Sequence, residues 1–353
     1  MDVSWLLYGA NGYTGELIAR EACARGGRPI LAGRNGAAVE RLARELSCEW
    51  RAFALDDAAA LAKGLAGVSL VLHCAGPFSA TAEPMMRACL RARAHYLDIT
   101  GEIDVFERAH ALDAEAREAG ILLLPGAGFD VVPSDCLAAH IKAALPDATH
   151  LALAFDSRSA PSRGTAKTMI ESLRARCKVR EAGRIVSVPL ASRVRQIDFG
   201  EGAKQAIAIP WGDVSTAYYS TGIANIEVYI PSSPRAIRRL RRLDRWRSIL
   251  GLAPVQSWLK RRVERSAPGP GADERDRTPV LLWAEGRNAA GRTVVGRLRV
   301  ANGYTTTMHA TLLLVERILR GTTPTGYQTP SQVVGADFVS RLPGASGVSI
   351  RGR

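Results

Sequence analysis

Short apolar runs alternate with longer amphipathic stretches over the first 125 residues of the chain. This order is typical of parallel strands joined by crossover helices. The apolar runs predict six strands, near residues 3–8, 28–32, 50–54, 69–74, 95–99 and 121–125. The stretches between them are rich in the helix formers Ala, Glu, Arg and Leu, and predict helices over 15–25, 37–47, 80–93 and 104–119. We therefore expect a doubly wound parallel sheet in this half of the chain.

The pattern changes after Pro125, where a predicted helix over 133–144 is followed mainly by strands. Strands are expected at 149–156, 184–189, 193–198, 205–210 and 223–230, with a hairpin of 280–287 and 292–300. Helices are expected over 305–320 and 329–341, and a Pro/Gly-rich linker over 266–273. The fold class is therefore α/β, with a second α+β domain built on a mixed sheet. We expect domains at 1–128 and 129–322, and a C-terminal segment, 323–353, that packs back on the body.

Three glycines at three-residue intervals connect the first strand to the first helix, in the segment Gly9-Ala10-Asn11-Gly12-Tyr13-Thr14-Gly15. Gly9 permits a tight turn, Gly12 lets backbone approach a pyrophosphate, and Gly15 lets the helix pack closely on the sheet. The free N–H groups at the start of the helix attract phosphate. An ordinary strand-to-helix turn is the alternative, but the βαβ context favours a Rossmann domain that binds a dinucleotide.

The second predicted strand is followed by Arg34, about twenty residues after the glycine turn. Enzymes that use NAD usually have an acidic residue there, which contacts the ribose hydroxyls. An arginine instead offers a planar, bidentate partner for a 2′-phosphate. The sequence therefore favours NADPH over NADH, against the alternative of a solvent-exposed arginine.

Small residues end the fourth strand, in the run Ala75-Gly76-Pro77-Phe78. Ligands of open α/β sheets bind at the carboxyl ends of the strands. We therefore expect this loop to pass close to the ribose and nicotinamide, although a plain turn has the same composition.

Reduction by NADPH also needs a proton source or a polarising group on the protein. The carboxyl ends of the fifth and sixth strands offer Tyr96, Asp98, Glu102, Asp130 and Asp135, and the second domain offers Tyr304. A tyrosine or a carboxylic acid with a raised pKa can donate a proton there. We name Tyr96, Asp130 and Tyr304 as candidate catalytic residues. Structural roles compete with this interpretation, because a strand tyrosine can be core and an aspartate can brace a turn or cap a helix.

Six cysteines and six histidines occur without metal-ligand spacing, and no C-x-x-C pair is present. We expect no metal, no disulfide framework and no covalent intermediate. The chain shows neither a signal peptide pattern nor a membrane-spanning apolar stretch, so a cytoplasmic location is expected.

The net charge of +13 is concentrated between Arg235 and Arg265, where eleven residues are basic and two are acidic. Because the rest of the chain is nearly balanced, we expect no nucleic-acid partner. Ile237, Leu240, Leu243, Trp246 and Ile249 or Leu250 recur at helical spacing among the arginines, and Trp258 and Lys260 extend the same character. The pattern predicts an amphipathic cationic helix. Its basic face is either simply solvated, or anchors the chain at a membrane surface, or docks an acidic acyl carrier protein.

Several of these segments together resemble the saccharopine dehydrogenase-like oxidoreductases, in particular the bacterial branch that includes trans-acting enoyl reductases. The resemblance rests on residues 8–15, 32–34, 74–78, 95–102, 128–135, 163–165, 303–307 and 329–330. It implies an NADP-binding domain followed by a substrate or dimerisation domain, with Gly101 among the cofactor contacts.

The resemblance leaves three functions open. The first is an NADPH-dependent enoyl reductase that acts on an acyl or polyketide intermediate, free or bound to a carrier. The second is an imine or amino-acid dehydrogenase of the saccharopine type, and the third is a dinucleotide-binding scaffold at a membrane. A homodimer is expected because two-fold dimers are the commonest oligomers.

Overall fold

A computed structural model describes residues 4–172, 176–244, 252–264, 269–321 and 323–352. The chain packs as two compact units, one of Met1–Val132 with Tyr304–Val334 and one of Pro133–Gly303 with Gly335–Arg353. These units differ from the predicted ranges 1–128, 129–322 and 323–353 in two places. Residues 304–334 pack with the N-terminal unit, and the C-terminal segment is divided between the two units.

The first unit contains a sheet of seven parallel strands. They are β1 (Trp5–Tyr8), β2 (Ile30–Gly33), β3 (Trp50–Ala52), β4 (Leu70–His73), β5 (His95–Asp98), β6 (Leu122–Leu124) and β15 (Gly326–Tyr327). Their spatial order is β15-β6-β5-β4-β1-β2-β3. All six predicted strands are confirmed, whereas the edge strand β15 was not predicted.

Helices connect these strands in the manner of a doubly wound fold. They are α1 (Tyr13–Ala24), α2 (Gly36–Leu46), α3 (Ala58–Gly64), α4 (Phe78–Ala92), α5 (Ile103–Ala111) and α6 (Asp113–Ala119). Every residue of β1, β2 and β4 is buried. Continuous burial is expected of parallel strands covered on both faces, and it explains why these strands are apolar runs without alternation.

The second unit is built on a mixed sheet, as predicted, and the sheet has nine strands, of which β8 and β16 were not predicted. Its strands are β7 (Ala148–Asp156), β8 (Cys177–Glu181), β9 (Arg184–Val188), β10 (Val194–Asp198), β11 (Ala203–Ala208), β12 (Asn225–Pro231), β13 (Val280–Asn288), β14 (Thr293–Val300) and β16 (Ser349–Gly352). The main order is β10-β11-β12-β7-β13-β14-β16, with β8 beside β12 and β9 beside β8. β7 and β12 are parallel, and β13 pairs antiparallel with both β7 and β14.

The remaining helices are α7 (Val132–Ala144), α8 (Arg163–Ser172), α9 (Asp213–Thr221), α10 (Pro234–Leu243), α11 (Ala253–Glu264), α12 (Ala272–Arg277), α13 (Gly303–Arg320) and α14 (Pro330–Val334). Helix α7 packs on one face of the second sheet, because Ile141 lies where a side chain on Gly286 or Gly296 would project.

Two sequence predictions are corrected in detail, and a third is confirmed in part. The helix expected over 329–341 is broken at Gly335 (φ +82°) into α14 and a 3₁₀ helix, Ala336–Arg341. The linker expected over 266–273 already becomes α12 at Ala272. Helix α10 confirms the first part of the basic helix, whereas Trp246, Ile249 and Leu250 lie outside the described residues.

Candidate cofactor-binding and active site

The turn after β1 is compact and depends on two of its glycines. Gly9 has a φ of +83°, and its N–H donates to the carbonyl of Ala32 at 2.7 Å. A Cβ on Gly15 would lie 2.2 Å from the carbonyl oxygen of Gly9, which is closer than any side chain tolerates. Gly9 therefore permits the turn, and Gly15 permits α1 to pack against it.

The start of α1 is left open by its own sequence. Asn35 and Asp57 cap α2 and α3 by accepting backbone N–H groups, whereas Gly12 at the start of α1 has no side chain to do so. Gly12 is exposed, and a Cβ on it would meet only the carbonyl oxygen of Gly9, at 3.2 Å. A shift of this oxygen by a few tenths of an ångström would therefore admit a methyl group at this position. A helix start with a small residue and no capping side chain is what an anionic ligand requires.

The end of β2 lies against the glycine turn. A Cβ on Gly33 would lie 3.0 Å from Oδ1 of Asn11, so the two segments are in contact. The next residue, Arg34, is exposed, and its guanidinium has no hydrogen-bond partner among the described residues. Its positive charge acts on the hydroxyl of Tyr8. Burial raises the pKa of Tyr8 to about 12, and the charge of Arg34 partly opposes this rise. Arg34 is thus available to a ligand beside the turn, and its contact with a 2′-phosphate stays a prediction.

The loop after β4 packs on the same turn. The backbone nitrogen of Ala75 lies 2.8 Å from the position of a Cβ on Gly9. The carboxylate of Glu102 holds the far end of the loop, because it accepts the N–H groups of Phe78 at 2.9 Å and Ser79 at 2.7 Å. The predicted loop from Ala75 to Phe78 is thus fixed at the carboxyl edge of the sheet. The bond between Glu102 and the start of α4 was not predicted.

Asp130 lies at the carboxyl end of β6, in contact with Gly101. A Cβ on Gly101 would lie 2.8 Å from Oδ2 of Asp130, so only glycine leaves room for this carboxyl. Burial, and to a smaller extent the negative charge of Glu102, raise the pKa of Asp130 to about 7. A partly exposed carboxylic acid with this pKa can both donate and accept a proton near neutral pH.

Helix α13 brings Tyr304 to the same edge. The rings of Tyr304 and Tyr13 meet edge to face, with centroids 5.1 Å apart. One turn further along α13, the hydroxyl oxygen of Thr307 accepts the N–H of Phe129 at 3.0 Å. Tyr304 is therefore placed beside the cofactor turn, and the helix is bonded to the loop that carries Asp130.

Tyr96 has a different environment from the other two candidate catalytic residues. It has no exposed surface, and its hydroxyl donates to Oδ2 of Asp98 at 2.7 Å. Asp98 also accepts the N–H groups of Thr100 and Gly126, and burial raises its pKa to about 6. Burial raises the pKa of Tyr96 well above 10. This network joins the ends of β5 and β6 and favours a structural role for Tyr96.

A buried histidine completes the surroundings of the loop after β4. His73 lies 5.4 Å from the ring of Phe78 and 5.5 Å from that of Tyr8. Neither ring nitrogen has a hydrogen-bond partner among the described residues, and burial lowers its pKa to about 3. His73 is therefore neutral at physiological pH and packs as an aromatic residue.

The second unit has a cavity of its own, of about 550 Å³, on the face of the sheet opposite α7. Its charged side chains are largely paired with one another. Arg195 contacts Glu285 at 2.8 Å, and Arg193 contacts Glu181 at 2.6 Å. Within the described ranges no group of His, Cys, Asp and Glu side chains is arranged to hold a metal ion.

Comparison with known proteins identifies the class of the first unit. The family model for the saccharopine dehydrogenase NADP binding domain matches residues 5–124. Over these residues the chain is similar to the NADP-binding domains of saccharopine dehydrogenase-like oxidoreductases. The match confirms the resemblance inferred from the sequence and the predicted cofactor, NADP.

Individual relatives extend the likeness beyond this domain. The chain is 29% identical to a trans-acting enoyl reductase of Mycobacterium ulcerans over 199 residues, 52% of this chain and 48% of the relative. It is 26% identical to the trans-acting enoyl reductase of Mycobacterium tuberculosis over 262 residues, 68% of this chain and 62% of the relative. A probable mitochondrial saccharopine dehydrogenase-like oxidoreductase of Arabidopsis thaliana is 32% identical over 152 residues, 37% of this chain and 32% of the relative. The chain thus spans between about a third and two thirds of the length of these relatives.

A solved structure shows the same fold over both units. Apo saccharopine dehydrogenase (L-Glu forming) from Saccharomyces cerevisiae superimposes with a TM-score of 0.68 at 14% identity. The match covers 99% of this chain and all of the other. At this identity the match establishes the fold and leaves the activity to be argued from the site.

Arg34 provides a direct test of cofactor choice. Replacing it by glutamine is expected to weaken NADPH binding by about 10- to 100-fold, because a charged hydrogen-bond partner of the 2′-phosphate is lost. NADH binding is expected to stay unchanged. The measurement is a fluorescence titration of both nucleotides. Arg44→Gln is the matched control, since the Arg44 side chain is 78% exposed on the neighbouring helix α2. Equal losses for the two nucleotides would contradict the role of Arg34.

Proposed function

We propose that this chain is an NADPH-dependent reductase that acts on the C=C bond of an enoyl group in an acyl or polyketide intermediate. The observation that carries the proposal is Asp130. Its carboxyl, with a pKa of about 7, lies at the carboxyl edge of the first sheet, where the glycine turn that fits a dinucleotide also lies. The names of the mycobacterial relatives support the choice of an enoyl substrate.

The residues at the strand edge fit NADPH by two features. Gly12 keeps the start of α1 clear, and Arg34 has its guanidinium available. Bound NADPH supplies the hydride. The protein binds the pyrophosphate at the turn after β1 and the 2′-phosphate at Arg34, while Glu102 keeps the loop after β4 in place.

Two groups of this chain serve the proton side of the reaction. Hydride addition to the β-carbon of an enoyl thioester leaves an enolate, with negative charge shared by the carbonyl oxygen and the α-carbon. The α-carbon must then gain a proton. Asp130 donates that proton from its carboxylic acid form. Tyr304, whose ring packs on that of Tyr13 in α1, donates a hydrogen bond from its hydroxyl to the thioester oxygen and so stabilises the charge.

The test is consumption of NADPH by the full chain with a panel of acceptors. We expect turnover with trans-2-enoyl thioesters and none with saturated thioesters. Turnover is measured as the loss of NADPH absorbance. Turnover with cyclic or open imines alone would replace the proposal by a saccharopine-type imine reductase. Saturable NADPH binding with no turnover on any acceptor would favour a non-catalytic scaffold.

A further inference from the structure

Helices α10 and α11 each carry exposed basic side chains that the reductase site does not use. Five arginines of α10 are exposed, Arg235, Arg238, Arg239, Arg241 and Arg242, and α11 adds exposed Arg261 and Arg262. We call the described residues of 234–264 the cationic segment. The described residues of this segment include eight basic and two acidic residues, so the segment is a distinct electrostatic feature.

The two helices hold this charge outward because their other faces are anchored. On α10, Ile237 is 4% exposed and packs with Ala191 and Ile207. On α11, Nε2 of Gln256 donates to the carbonyl of Ile170 in α8 at 3.1 Å. Successive helical residues are about 100° apart, so Trp258 points away from the side that Gln256 bonds to α8.

Large apolar side chains are exposed within the same segment. Trp258 is 59% exposed and Leu252 is 53% exposed, and the guanidinium of Arg262 lies 5.9 Å from the Trp258 ring. Across the described ranges the other large exposed apolar side chain is Trp50, in the first unit. Exposed tryptophan and leucine beside arginine cost free energy in water and are favourable where water meets lipid.

We propose that the cationic segment binds the surface of an anionic phospholipid membrane, with Trp258 and Leu252 entering the headgroup region and the arginines contacting lipid phosphates. Basic side chains near such a surface each contribute attraction to anionic lipid. A continuous negative surface matches arginines spread over two helices better than a partner with a few discrete acidic groups. Among the described residues no helix is long and apolar enough to span a bilayer, so the segment acts as a surface anchor.

The proposal is independent of the reductase site, and its test needs no cofactor. The full chain is sedimented with vesicles of phosphatidylcholine alone and of phosphatidylcholine with phosphatidylglycerol. We expect binding to the anionic vesicles that weakens as salt increases, and a blue shift of tryptophan emission. Trp258→Ser is expected to weaken binding about tenfold, because burial of its ring is lost. Trp50→Ser is the matched control, since Trp50 is 41% exposed in the first unit, and it is expected to bind as the unaltered chain does.

A second variant tests the charge. Arg261→Gln together with Arg262→Gln is expected to lower both the affinity for anionic vesicles and its salt dependence. Thermal unfolding checks that each variant is folded. Equal binding of Trp258→Ser and Trp50→Ser, or equal binding to neutral and anionic vesicles, would overturn the proposal. The proposal would also be overturned if the chain bound an acidic acyl carrier protein but no vesicles, and Trp258→Ser abolished the binding to the carrier protein.

Discussion

Gly12→Ala is expected to weaken NADPH binding by about 10- to 100-fold and to leave the free energy of unfolding nearly unchanged. The main chain at Gly12 is extended (φ −81°, ψ 161°), a conformation that alanine adopts freely. Its Cβ would meet only the carbonyl oxygen of Gly9, at 3.2 Å. The loss would therefore arise from the ligand, because the methyl group occupies the space in which backbone N–H groups contact the pyrophosphate.

The control for this prediction is Gly15→Ala, three residues along the same turn. Here the added Cβ meets backbone at 2.2 Å, so α1 must shift, and we expect both weaker binding and a destabilisation of about 1–3 kcal/mol. Nucleotide titration and chemical denaturation of both variants separate the two effects. If Gly12→Ala binds NADPH as tightly as the unaltered chain, the pyrophosphate is not held at this turn, and the assignment of the cofactor site is wrong.

The central strands of the first sheet were predictable because they are apolar on both faces. β1 and β4 are short apolar runs such as Leu70-Val71-Leu72, each followed by a turn that contains glycine, and every residue in them is buried, so the run itself is the signal. Strand β8 was missed for the opposite reason. It contains Arg180, which is only 3% exposed because it donates to the carbonyls of Val214 and Gly183 and stacks on Tyr218. Those partners come from other elements, so the sequence of β8 reads as polar.

The candidate site shows the same division between local and tertiary information. The glycine turn is encoded within seven consecutive residues, and their spacing together with the βαβ context indicated its use. The role of Glu102 depends on bonds to Phe78 and Ser79, more than twenty residues earlier. Tyr96 was named from its position at a strand end, but its hydroxyl is bonded to Asp98 inside the sheet. The sequence predicts which residues lie near the carboxyl edge of the sheet. Tertiary packing determines which of their side chains are exposed there.

Asp130→Asn is expected to lower the turnover number by about 10²- to 10⁴-fold, because an amide cannot transfer the proton. NADPH affinity is expected to stay within about twofold, since the turn and Arg34 are untouched. In the unaltered chain the rate is expected to fall as pH rises through about 7, where Asp130 loses its proton. A variant that keeps full activity would exclude Asp130 as the donor, and Tyr304→Phe would then be the next test.

Asp130→Asn is also expected to make the stability of the fold less dependent on pH between pH 5 and 8. Aspartate in an unfolded chain titrates near pH 4, whereas burial raises the pKa of Asp130 to about 7 in the folded chain. The folded state therefore binds this proton more tightly, and that contribution to stability is complete below about pH 4 and is lost as pH rises through about 7. Asparagine carries no charge at any pH, so Asp130→Asn should lose less stability than the unaltered chain between pH 5 and 8. Thermal unfolding over this range measures the difference. Lower activity together with a smaller loss of stability between pH 5 and 8 is expected of a partly buried acid kept for proton transfer, whereas replacing an aspartate with only a structural role would destabilise the fold throughout this range.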